Sequence, residues 1–358
     1  MIDRTKPIEK HLRPERIEMR DWSFSFSHLG MAAYGLEQMM SRWQKAIKDP
    51  VTMVAFCCEV LALPKNTAQG LSPEILTRSR AAAAPFDLSL SLRPGTVGYG
   101  GLDTGNTCWF IGREVASEVE KRIIHAEDIP LATVVPRAVE LFHRIGLAAL
   151  FIDARPAVNE ARTLTYILNG LQDIKWPSVP DPDKARIKFP GGLEWNGEKG
   201  EWTNLRCAVV EFTRPAGAGI VQKIGRDAAN GVTRFFPIIQ CSRFDSIDRV
   251  ITEFLTPKES VFRQHNGNVY QEPVMLLPRR VEGTPKIVET LDRHLITGSA
   301  RVEVDGEKGD YVDKCDNHLL LANAYSGLAE HLIKGTAPKA PVGVQSIPLK
   351  RPSSRYAG

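Results

Sequence analysis

Residues 96–107 read TVGYGGLDTGNT, an apolar run that ends in Asp103 within a glycine-rich turn. A strand that carries a carboxylate to its end, followed by residues that let backbone and ligand come close, is a common opening for a metal or phosphate site. Residues 147–152, LAALFI, repeat the pattern: a continuous apolar run of buried-strand length that ends at Asp153. If the two strands are neighbours, both carboxylates stand at one edge of one sheet, where they can share divalent cations. Taken singly, each acid also fits the plainer role of a turn residue or helix cap.

The chain has 358 residues, 43% hydrophobic and 25% charged, as expected of a globular protein able to bury a large core. A net charge of +4 permits a polyanionic partner without requiring one. The apolar runs are too short to span a bilayer and residues 1–20 are charged rather than signal-like, so the expectation is a cytoplasmic protein with no membrane association. Cys57, Cys58, Cys108, Cys207, Cys241 and Cys315 form neither a CxxC pattern nor a disulfide framework.

Residues 1–20 read as an extended arm, and helices are expected over 31–48, where Leu36, Met39, Met40, Trp43 and Ile47 make one stripe, and over 52–63. Residues 79–85 look like a linker. Strands and helices then alternate, which favours an α/β layer structure. Expected are a strand at 96–102, a partner at 108–113, helices at 136–145 and 157–169, a strand at 207–213, helices at 246–255 and 286–294, a strand at 300–304 and a helix from about 317. Asp245 and Asp248 resemble a capping pair for the helix at 246. Residues 176–206, with several Pro and Gly among charges, suggest an inserted hairpin or loop, and the last two dozen residues a flexible basic tail. The organisation is thus an N-terminal arm and helical segment over 1–90, one α/β domain over 91–335 and a tail over 336–358.

A third acidic group, Asp310, Asp313 and Asp316 with His318, precedes the last helix. Acids there also suit the helix dipole. Together with Asp103 and Asp153 they give the order strand acid, strand acid, helix acid, which is what a two-metal phosphodiesterase needs. The oxygen donors suit two Mg²⁺ or Mn²⁺ ions.

On four stretches, WQKAIKDPVTMVAFCCEVLALP, GYGGLDTGNT, LFIDARPAVNEA and DNHLLLANAY, with RFDSIDRVITEFL between the last two, the chain resembles the nuclease half of the large terminase subunit of tailed bacteriophages. The resemblance implies an RNase H-like mixed central sheet flanked by helices, preceded by an N-terminal helical segment. It implies that Asp103 and Asp153 are the first two metal ligands of an endonuclease that cuts concatemeric double-stranded DNA during genome packaging. Asp316 is the expected third ligand, with Asp313 beside it; His318 or Arg155 would orient water or steady the phosphate. Lys188, Arg214, Lys223, Arg226, Arg234 and Arg243 are candidate DNA-phosphate contacts, though dispersed basic residues also describe an ordinary solvated surface. A separate ATPase motor, a small terminase and a portal protein are the partners implied.

Two departures accompany the resemblance. The chain has no Gly-Lys dipeptide, hence no phosphate loop of the motor type, so either this is a separate nuclease polypeptide or its motor is another chain. Where the family reads His-x-x-Asp-Ala before a tyrosine, this chain has His318, Leu319, Leu320, Leu321 and Ala322, so Leu321 stands at the acidic position. Two other readings stay open: a DNA-packaging or DNA-binding module with a degenerate site, and an actin-like or sugar-kinase ATPase, whose first phosphate loop GLDTGNT also resembles. A dinucleotide fold is disfavoured because the third glycine of its fingerprint would fall at Asp103.

Overall fold

The computed structural model describes residues 41, 44, 70–81, 88–172, 186–213, 219–229, 232–265, 268–280, 285–300, 311 and 316–333. Most of the expected helix at 31–48, all of that at 52–63, the strand at 301–304, Asp313, Arg214 and the tail lie outside them; Ser41 and Gln44 are helical.

In chain order the elements are α1 (Pro73–Ala81), β1 (Val97–Asp103), β2 (Thr107–Ser117), β3 (Glu120–Pro130), α2 (Val134–Ile145), β4 (Leu147–Asp153), α3 (Val158–Leu168), β5 (Arg186–Lys188), β6 (Glu194–Asn196), β7 (Glu201–Thr203), β8 (Cys207–Thr213), β9 (Val221–Ala229), β10 (Val232–Ser242), α4 (Arg243–Leu255), β11 (Pro257–His265), β12 (Asn268–Pro273), β13 (Met275–Leu276), α5 (Lys286–Gly298) and α6 (His318–Ile333). An eight-stranded mixed sheet runs β13-β3-β2-β1-β4-β8-β10-β9. Its middle is an antiparallel meander, β3-β2-β1, extended on the β1 side by parallel β4 and β8. This is the RNase H-like arrangement, a mixed sheet flanked by helices.

The central strands are legible because they are buried on both sides. β4 is nearly all apolar and lies between two parallel neighbours, so neither face can be polar. Successive residues of β1 point to opposite faces. A side chain on Gly100 would strike Leu147 and Leu150, whereas one on Gly101 would sit 1.8 Å from the carbonyl oxygen of Ala322 in α6. Gly101 is therefore the point where the backbones of β1 and α6 touch, and no larger residue leaves room for that approach. α2 and α3 pack into one apolar core with β4 and β8, and α1, α4 and α5 share the other with the start of α6.

Several expectations change. The linker expected at 79–85 is in part helix: α1 continues to Ala81, with Ser79 fully buried and donating to the Met275 carbonyl at 2.6 Å, and Arg80 paired with Asp292. Leu71 and Leu76 belong to the second core, so residues 70–81 pack with the domain rather than apart from it. α4 begins at Arg243, capped not by an aspartate pair but by Ser242, whose hydroxyl accepts from the Asp245 N–H at 3.2 Å. Asp248 instead accepts from the Tyr311 hydroxyl. The described part of the insertion is a small three-stranded sheet, β5-β6-β7. Its Trp195 packs on Trp202 and Trp202 on Phe189, which meets Phe235, and the Trp202 indole N–H donates to the Lys223 carbonyl at 2.9 Å, covering the open edge of β9.

Candidate functional site

β1 and β4 are parallel neighbours with Leu102 opposite Ile152, so the next residues, Asp103 and Asp153, stand side by side at the carboxyl edge of the sheet. Asp103 is buried and Asp153 partly so. Burial pushes the Asp153 carboxyl up to about 7, and the charge of Asp103 adds to that. The backbone N–H of Arg155 donates to Asp153 Oδ1 at 3.3 Å, and the Tyr325 hydroxyl bonds the same carboxylate. Burial likewise raises the Asp103 carboxyl, opposed by His318 and by the nearby positive charge of Arg243.

Helix α6 lies over this edge. His318 Nδ1 is 2.7 Å from Asp103 Oδ2, and this bond holds the imidazole pKa above its ordinary value. Tyr325, fully buried and stacked on Phe212 at 5.2 Å, reaches Asp153. His318, Leu321 and Tyr325 are spaced by three and four residues, so they share one helix face. One turn of the helix thus separates each acid's partner from Leu321, which packs partly buried against both cores.

Behind His318 stand Trp109, stacked parallel to it at 5.9 Å, and His294, edge-on at 5.8 Å. Trp109 is the register partner of Asp103 across the β1–β2 hairpin. His294 is buried and its Nδ1 accepts from the Leu319 N–H at 3.3 Å, so its ring is neutral; burial, with help from His318, lowers its pKa to about 4. It thereby caps one of the orphan donors at the start of α6.

The structure sets Asp103 beside Asp153 and His318 against Asp103, and does not add Asp316. That side chain is exposed and faces Arg293 at 3.7 Å, although its field reaches His318. Arg155 contributes its backbone N–H while its side chain is exposed. The positive charge of Arg243 reaches Asp103. Lys188, on β5, and Lys223 and Arg226, on β9, are exposed; the last two, three residues apart in a strand, face opposite sides. Arg234 stacks over the Tyr166 ring at 5.7 Å. Sequence reasoning gave no role at this edge to Tyr325, Trp109 or His294.

The donors offered to a cation are carboxylate oxygens, which suit Mg²⁺ or Mn²⁺. Two adjacent carboxylates fit one such ion, which keeps several waters of its own. Among the described residues no three His, Cys, Asp or Glu side chains gather closely enough to hold a metal.

Fold and site together define an α/β protein with an RNase H-like sheet and a pair of carboxylates at its carboxyl edge. No family model and no curated protein sequence matches the chain. Among solved structures, the large terminase of a thermophilic bacteriophage is similar, at 12% identity and a TM-score of 0.38, over 86% of this chain and 54% of that one. The chain therefore spans about half the length of that protein. Among the described residues no helix is long and apolar enough to cross a membrane.

Proposed function

We propose that the chain is a metal-dependent endonuclease of the phage-terminase type, cutting concatemeric double-stranded DNA for packaging, with an ATPase motor, a small terminase and a portal protein as partners. The observation that carries the reading is the side-by-side placement of Asp103 and Asp153 at the ends of parallel strands. Two carboxylates in mutual repulsion and largely out of water favour a cation between them. When bound there, a divalent ion supplies Lewis acidity toward a phosphodiester oxygen and lowers the pKa of its water. Asp103 and Asp153 would hold the ion; Tyr325 and the Arg155 N–H fix the orientation of Asp153, and His318 that of Asp103. Because the Asp153 carboxyl sits near 7, it must lose its proton before it can ligate, so ion affinity rises through neutral pH.

Arg243, whose charge reaches Asp103, is the residue we propose for contact with a scissile phosphate. Leu321 on the face between His318 and Tyr325, and Asp316 turned to Arg293, favour a second reading, a DNA-packaging module that binds without cutting. Incubation with supercoiled plasmid and Mn²⁺ or Mg²⁺, beside EDTA and Asp103→Ala controls, separates the two. Metal-dependent nicking lost in the variant supports the nuclease; DNA bound and left intact, with or without chelator, supports the module.

A further inference from the structure

We infer that this edge takes one divalent cation rather than two, because helix α6 offers a hydrophobic side chain where the ligand for a second ion would have to stand. The inference rests on the reading of Asp103 and Asp153 as metal ligands. Three features of the chain lead to it.

The first is the face of α6. It crosses β1 in backbone contact at Gly101, so it cannot shift to bring other residues forward. Of the side chains it presents there, His318 engages Asp103, Tyr325 engages Asp153, and Leu321 lies between them. Leu321 is wedged against both apolar cores and has no donor atom.

The second is charge. Two divalent ions bring four positive charges into a site whose paired acids supply two negative ones. The face of α6 that carries His318, Leu321 and Tyr325 adds no carboxylate to offset a second ion.

The third is the fate of the nearest other acid among the described residues of that loop. Asp316, directly ahead of α6, is exposed and its carboxylate faces Arg293 at 3.7 Å, while its backbone carbonyl accepts from Thr297 Oγ1 at 2.6 Å. These contacts on α5 hold it away from the sheet edge.

The test is Mn²⁺ binding to the full chain at pH 8, read by electron paramagnetic resonance of the free ion and by calorimetry, for wild type, Asp103→Asn, Leu321→Asp and Leu321→Asn. One equivalent is expected in wild type, none in Asp103→Asn, two in Leu321→Asp, and one in Leu321→Asn, which shares the new polarity without the charge. Two equivalents in wild type would overturn the inference and leave the nuclease reading intact if plasmid is cut. One equivalent with no cutting leaves the inference standing and removes the nuclease. No binding at millimolar Mn²⁺ removes both. Leu321→Asp that stays folded by circular dichroism and still binds one ion overturns the part assigned to Leu321; if that variant does not fold, the wild-type stoichiometry decides.

Discussion

Replacing Asp153 by asparagine should make the protein more stable, by a margin that grows as pH rises from about 4 to about 7. A carboxyl held at about 7 instead of its ordinary 3.8 is one whose ionised form is disfavoured by the fold. Three pH units at about 1.36 kcal/mol each give roughly 4 kcal/mol as an upper bound. Asp153 is only partly buried and water can relax around it, so roughly 1–3 kcal/mol is the realistic range. The sign follows from proton uptake. As pH rises from about 4, the unfolded chain releases this proton first, and the folded chain keeps it until about 7. Wild type therefore loses stability across that window, and above it both states are ionised and the loss is complete. Asparagine keeps an acceptor for Tyr325 and the Arg155 N–H but has no charge to set against Asp103. Thermal melts at pH 4.5 and pH 8 should show the variant and wild type nearly equal at the lower value. At the higher one the variant should melt several degrees above wild type, at about 2–4 °C per kcal/mol. Mn²⁺ at pH 8 should close that gap by raising wild type alone, because a bound ion relieves the same repulsion. A gap of the same size at both pH values, or none at pH 8, would refute the reasoning.

Other outcomes follow from the same contacts. Gly101→Ala puts a methyl carbon 1.8 Å from the Ala322 carbonyl oxygen, a backbone clash that must displace α6; a loss of at least ~3 kcal/mol in urea denaturation is expected, together with loss of Mn²⁺ binding. Glu330→Gln removes one carboxylate from the buried quartet in which Arg113 and Lys121 each pair with Glu330 at 2.9 Å and with Glu253; the cost should be roughly 3–5 kcal/mol, with Arg113 left in excess charge, and a neutral change in the denaturation midpoint would contradict it. His294 titrates at about 4 in the fold against 6.5 when free, so the unfolded state takes up its proton first as pH falls. Stability should decline between pH 6.5 and 4 in wild type, and His294→Asn, which cannot ionise, should lack that part of the decline in melts across the same range.

The two strand acids were legible in the sequence because burial on both faces forces an unbroken apolar run. A charge that closes such a run can only be at its end, so LAALFI followed by Asp153 reads as a strand delivering a carboxylate. The flanking helices α2, α3 and α5 overlap the helices expected at 136–145, 157–169 and 286–294. β3 and β9 through β12 did not. They mix charges into their runs, as EKRIIHAEDIP and VQKIGRDAA do, and several of those charges are satisfied only by partners far along the chain. Lys121 in β3 is an example, buried because Glu253 and Glu330, more than 130 positions on, come to meet it.

What the sequence alone determined is the alternation of elements and the two acids at strand ends, since period and apolar continuity are local properties. What only the tertiary structure decided is the company those acids keep. His318 reaches Asp103 across 215 positions, Tyr325 reaches Asp153, and His294 turns its nitrogen to the start of α6. These pairings depend on α6 lying in backbone contact with β1 at Gly101, a closeness set by packing in three dimensions. The same packing turns Asp316 outward to Arg293 and sets Leu321 between the two partners, because helical spacing fixes which residues share the inward face once that face is chosen.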